Sequence, residues 1–205
     1  MNTIDNTAFF KLAYGLYVIT TNDGKKDNGM ICNTVVQVTN SPARLAVTIN
    51  KSNYTHDVIK ATGKLNVCTI AETAAFSLFQ LYGFKSGREA NKLAGVEVER
   101  SSNALAVIVN DVNSYFSLEV ESYNDLGSHG MFICKVVEAK TLSKTPTMTY
   151  AYYHANVKPK SQTSKKKGWV CSICGYVYEG DELPPDFVCP LCKHPASDFK
   201  RLTGE

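Results

Sequence analysis

Four of the seven cysteines in this 205-residue chain fall in one short stretch, as Cys171-x2-Cys174 and Cys189-x2-Cys192. Each CxxC sets two sulfurs at the tip of a tight turn where they can share one tetrahedral ion, and two such knuckles complete four ligands. Residues 168–205 are too few to stay folded by apolar burial alone, so a metal has to contribute part of their folding free energy. Cys32, Cys68 and Cys134 are scattered, and an odd total clustered this way is unlike the framework of a secreted disulfide scaffold. Reduced thiols are expected. Spacing alone permits zinc or iron, since both accept tetrahedral thiolate.

Charge divides the chain at the same place. Residues 1–157 carry 14 basic and 13 acidic side chains, residues 158–167 carry 5 and 0, and residues 168–205 carry 3 and 6. The basic excess therefore sits in one lysine-rich segment, which argues against a nucleic-acid-binding face on either folded part. Asn156 to Lys167 reads NVKPKSQTSKKK, the composition of a solvated linker that, fully stretched from Lys158, would reach about 35 Å. The expected organisation is a domain at 1–157, a linker at 158–167 and a small domain at 168–205. No stretch has the length and apolarity of a membrane span, and Met1 to Asp5 lacks the regions of a signal peptide, so the expected compartment is cytoplasmic.

The first 157 residues read as mainly β. Leu16 to Thr21, Met30 to Thr39, Leu45 to Ile49, Leu105 to Val109 and Met131 to Val137 are β-branched or apolar runs bounded by turn residues. Phe116, Leu118 and Val120 alternate with Ser117, Glu119 and Glu121, which predicts a strand with one buried and one wet face. Short helices are expected at Thr7 to Ala13, at Thr55 to Thr62 before Gly63, and at Thr73 to Tyr82 with Gly83 as a left-handed cap. So many strands with so little regular helix alternation favour a closed or nearly closed antiparallel barrel.

No GxGxxG and no P-loop occurs. Two polar stretches stand at strand ends instead: Asn28 to Thr34, NGMICNT, and Asn50 to His56, NKSNYTH. The second opens a helix, whose N-terminal N–H groups with Ser52, Thr55 and Lys51 suit a phosphate; Ser52 or Thr55 as a simple helix cap is the plainer reading. A thiol on a strand, such as Cys32, is more often a small buried hydrophobe than a nucleophile, and Cys68 and Cys134 read as core.

The aromatic pattern around the cysteine knuckles, Trp169, Tyr176, Tyr178, Phe187 and Phe199, resembles rubredoxin, most closely the short version at the end of rubrerythrins. The resemblance implies iron held by Cys171, Cys174, Cys189 and Cys192, with Gly175 turning backbone N–H groups toward sulfur; Lys193 departs from the usual glycine. In the first part, LYVITTNDGKKDNGMICNTVVQVT, Ser41-Pro42, AVTINKSNYTHDVIKATGKLNV, GFKSGREANKLAGVEVE and GSHGMFICKVVEA resemble, in that order, the flavin reductase-like family that includes flavoredoxin. That resemblance implies an FMN-binding split β-barrel, usually a homodimer. By analogy Asn28, Gly29, Met30, Cys32, Asn33 and Thr34 line the isoalloxazine and ribityl chain, and Asn50, Lys51, Ser52, Thr55 and His56 hold the phosphate end, with Arg88 and Lys92 adding charge. His129, in GSHGMF, matches a histidine that the family places near the flavin, where an imidazole changes charge around neutrality. Tyr150, Tyr152 and Tyr153 either stack on flavin or pack the domain end.

The fusion looks like the high-molecular-weight rubredoxins of anaerobes. It implies an oxidoreductase that takes hydride from NADH or NADPH onto FMN, passes single electrons to iron, and delivers them to a partner such as a flavodiiron oxygen or nitric oxide reductase. A free-flavin or ferric reductase, a non-enzymatic flavoredoxin-like carrier and a zinc-ribbon interaction module are the competing readings.

Overall fold

A computed structural model describes residues 5–159, 168–172, 176–190 and 195–202. Cys174, Gly175, Cys192, Lys193 and most of the lysine-rich linker lie outside the described residues. After a short 3-10 turn at Asn6–Lys11 come β1 (Tyr17–Asn22), β2 (Asp27–Cys32), β3 (Val35–Asn40), β4 (Ala43–Asn50), α1 (Tyr54–Thr62), β5 (Lys64–Ile70) and α2 (Phe76–Gly83). A small hairpin, β6 (Val98–Arg100) and β7 (Ala106–Ile108), precedes the long strands β8 (Val112–Asp125) and β9 (His129–Thr141).

Seven strands form one antiparallel sheet in the order β2-β1-β5-β8-β9-β4-β3. Its outer strands β2 and β3 are consecutive in the chain, separated only by Asn33 and Thr34. Cys32 and Val35 therefore lie at most about 11 Å apart, and the sheet has to roll until its edges meet. Thr34 O accepts from Thr48 N at 3.0 Å, tying the crossover to β4. The result is the split barrel expected, reached by breaking the single run Met30 to Thr39 into two strands on opposite edges.

Ile19, Val47, Ile49, Leu65, Val67, Leu118 and Phe132 fill the barrel, with Ile59 of α1 packed among them. A second core on the other face joins Val18, Cys68, Ile70, Phe79, Tyr82, Ile108 and Tyr153 beneath α2 and the helical turn at Tyr150–Val157. Two local expectations change. Ser117 is fully buried, because Asn66 opposite it on β5 is covered by Ser101 and the β6–β7 hairpin, to which its amide donates. Gly83 is the last residue of α2, followed by Phe84 in right-handed conformation, so no left-handed glycine ends that helix; Gly63 does end α1 that way, at φ 70°.

β10 (Gly168–Cys171), β11 (Val177–Tyr178) and β12 (Phe199–Leu202) form a separate three-stranded sheet, order β11-β10-β12. No described helix is long and apolar enough to cross a membrane.

Candidate functional site

The two polar stretches of the first domain meet at one hydrogen bond. Asn28 on β2 donates through Nδ2 to Thr55 Oγ1 in the first turn of α1 at 2.7 Å, with both residues buried. Asn28 Oδ1 is buried without a partner, a costly state unless something fills the recess it faces. Gly87 borders that recess: a Cβ there would lie 2.0 Å from Asn28 Oδ1 and 3.0 Å from Tyr54 Cδ1. No side chain caps α1; Asn53 holds the N-cap position and neither Ser52 nor Thr55 does.

Positive charge gathers around this end. Lys26 donates to Gly87 O at 2.7 Å and lies 5.6 Å from the Tyr54 ring centre, and the Arg88 guanidinium lies 5.3 Å from the same ring. Arg88 also meets Asp57 at 2.8 Å and holds that carboxyl below its ordinary range, neutralising the one acid in the first turn of α1. A helix N-terminus with unspent donors, a buried amide and two flanking cations is a fitting cradle for a phosphate. Asn28, Gly87, Thr55 and Arg88 thus fit the phosphate end of an FMN.

The rim continues along β4 and β9. Asn50 pairs in register with His129, Lys51 N donates to Ser128 O at 3.0 Å, and His129 Nδ1 contacts Ser128 Oγ at 2.9 Å. Asn50 Oδ1 accepts from exposed Ser52 N at 2.9 Å, while the Lys51 ammonium is held by Asp125 at 2.8 Å. Asn33 and Thr34 sit half-buried at the crossover, where Thr34 Oγ1 donates to Thr48 O at 2.5 Å.

Four of the expected site side chains turn elsewhere. Met30 and Cys32 point into the barrel core, so what β2 offers outward is its backbone; burial pushes the Cys32 thiol up, unlike a nucleophile's. His56 is 3% exposed, with Nδ1 on Asp57 at 3.1 Å and Nε2 on Tyr123 OH at 3.2 Å. It ties α1 to β8 rather than reaching a phosphate. Lys92, 4% exposed, donates to Gly29 O at 2.9 Å and Tyr82 O at 3.0 Å, and desolvation lowers it to about 8. Its charge staples β2 to α2 and is not offered to solvent. Of the tyrosines, Tyr153 is buried on Phe79, ring centres 4.3 Å apart, and Tyr150 meets Tyr14 edge-on.

Tyr54, Asp57, Gly87, Tyr123 and Gly130 were not singled out by sequence reasoning. A Cβ on Gly130 would lie 2.4 Å from Tyr123 Cε2 and 2.6 Å from His56 Nε2, so glycine is required by close approach. The second glycine of GSHGMF was the available signal.

In the small domain Cys171, at the end of β10, and Cys189 are buried together with Phe199, and Trp169, Tyr176, Tyr178 and Phe187 pack around them. Phe187 meets Phe199 edge-on at 5.3 Å and Tyr178 at 4.8 Å. Two soft donors enclosed by aromatic rings fit a thiolate-bound iron. Among the described residues these two are the only members of the expected ligand set, and no larger metal-ligating cluster occurs.

Comparison with known proteins gives the two halves separate kin. Residues 9–161 match the flavin reductase like domain family, and residues 169–200 match the rubredoxin-like domain of rubrerythrin. The high molecular weight rubredoxin of Moorella thermoacetica is 34% identical over 97% of this chain and 100% of its own length. The ferric-chelate reductase (NAD(P)H) of Archaeoglobus fulgidus is 31% identical over 77% of this chain and 94% of its own. Among solved structures, an FMN-binding protein from Thermus thermophilus superposes with a TM-score of 0.62 at 14% identity, covering 69% of this chain and 78% of its own. The chain belongs to the flavin reductase-like family and, over nearly its whole length, to that of the high molecular weight rubredoxins.

Proposed function

We propose that this protein is an NAD(P)H-dependent electron-transfer oxidoreductase that binds FMN in the first domain and one iron in the second. The observation that carries the reading is a single alignment to a high molecular weight rubredoxin that runs through both domains without a partner chain. FMN, when bound, takes two electrons together as hydride from a reduced nicotinamide and gives them up singly, and thiolate-bound iron accepts one at a time. The chain itself supplies position and electrostatics. Asn28, Thr55, Gly87 and the first turn of α1 hold the phosphate end, Arg88 cancels the Asp57 charge beside it, and the β2 backbone faces the ring system. His129, fixed through Ser128 and its pairing with Asn50, orients the nicotinamide or steadies charge on the reduced ring. Cys171, Cys174, Cys189 and Cys192 hold the iron. Each NAD(P)H oxidised to NAD(P)+ would supply two electrons and release one proton, and the single iron that the four cysteines would hold would pass those electrons on one at a time. The electrons leave to a partner protein, of which a flavodiiron oxygen or nitric oxide reductase is the class expected, and two chains act as a homodimer.

The visible spectrum and metal content of the pure protein test this. Superimposed flavin and ferric–thiolate bands, with one FMN retained per chain through gel filtration, are expected. A colourless preparation holding only zinc contradicts it. A flavin lost on the column would favour the free-flavin or ferric reductase, and no turnover of NADH or NADPH with an artificial acceptor would favour the carrier.

A further inference from the structure

The iron-binding cluster is not sealed by its own domain alone. Phe84, the residue after α2, packs against the cluster of Cys171, Cys189 and Phe199. A second tie lies beside it, where Lys158 donates through Nζ to Ser172 O at 2.7 Å, one residue past Cys171. Phe84 is also the outer end of a continuous packed path from β2. Gly29 is so close to Tyr82 that a Cβ would lie 2.8 Å from that ring, and a Cβ on Gly83 would lie 3.4 Å from Ile31 Cγ1. Phe84 follows directly and is braced edge-on by Phe76 at 5.9 Å. Charge favours the contact, since Lys85 directly follows Phe84 in the chain and Lys158 reaches Ser172, while residues 168–205 carry 3 basic and 6 acidic side chains.

We propose that Phe84 is the docking residue through which the C-terminal domain seats its Cys171–Cys189 face on the flavin-binding domain, beside β2. This rests on the relay reading above and names the surface that serves it. The step it would serve is a one-electron transfer from reduced flavin to ferric iron; the iron would pass that electron to the external acceptor before a second docking took the remaining one, with the flavin's proton released to solvent. Among the described residues the contact is built on the Phe84 ring and the Lys158 tie, and a contact of that kind can release and leave the iron domain able to turn to an external acceptor.

The test uses full-length holoprotein, wild type against Phe84→Leu and Phe84→Glu. Phe84 is only half-buried, so neither change threatens the barrel. A carboxylate against an anionic thiolate cluster opposes docking; leucine keeps an apolar seat. Amide hydrogen exchange of the oxidised protein should accelerate at residues 82–86 and 169–172 in Phe84→Glu and stay near wild type in Phe84→Leu. After anaerobic mixing with NADH, Phe84→Glu should reduce its iron about tenfold more slowly while its flavin bleaches at the wild-type rate. Unchanged exchange at those segments, or iron reduction as fast as wild type, overturns the proposal. Wild-type iron that stays ferric while flavin bleaches defeats the relay itself, and the exchange data still decide whether Phe84 holds the domains together.

Discussion

The two domains bury different things. The first closes a barrel around aliphatic side chains and Phe132 and packs a second core on its outer face, so apolar burial is its main source of stability. The second, among its described residues, buries only Cys171, Cys189 and Phe199 as apolar side chains, and two of those three are expected metal ligands. The lesson is a division of labour: one domain is held by apolar burial, whereas the other buries too little among its described residues to be held that way and concentrates its buried surface on two cysteines.

The largest effect that sharpens this contrast is metal removal. Chelation, or Cys171→Ser, should cost the second domain its fold, on the order of 10 kcal/mol of binding energy, while the β-sheet circular dichroism of the first persists. Trp169, the chain's single tryptophan, packs on the cysteine cluster and reports the loss by fluorescence. Core truncation should show the reverse pattern. Phe132→Ala, at a fully buried ring in the barrel, should destabilise the first domain by about 3–5 kcal/mol in denaturant unfolding and leave the iron spectrum unchanged. Gly130→Ala comes next: its methyl cannot fit beside Tyr123 and His56, and about 1–3 kcal/mol is expected.

Lys92 gives a smaller, pH-dependent signal. Burial lowers it to about 8 from the ordinary 10.5, so the folded state loses its proton before the unfolded chain does. Between those values the unfolded chain binds more protons, and stability should rise with pH through that window. Lys92→Met should flatten the rise; an unchanged profile would place the ammonium in water. The smallest effect belongs to the exposed pair Lys51–Asp125, where Asp125→Asn should leave the melting temperature within error.

The mainly β character and the α1 boundaries were legible because period-two alternation and Gly63 are local signals, whereas β5 and β6 carried no such signal and the run Met30 to Thr39 became two strands. Facing was not legible. Residues 28, 30 and 32 share one side of β2, but which side meets the core depends on how the sheet rolls, and that is decided by the two-residue crossover to β3. Lys92 and His56, expected at the phosphate end by analogy, meet instead two carbonyls and a tyrosine, partners that only tertiary packing supplies. The meeting of Asn28 with Thr55, 27 residues apart, could be expected only from the order of the motifs.

The central claim, an internal passage of electrons from flavin to iron, is tested most directly by mixing oxygen-free protein with one equivalent of NADH or NADPH and following both chromophores in time. The account predicts that the flavin band falls first and the ferric–thiolate band follows within the same turnover, at a rate independent of protein concentration. Iron that keeps its oxidised spectrum beside fully reduced flavin would contradict it.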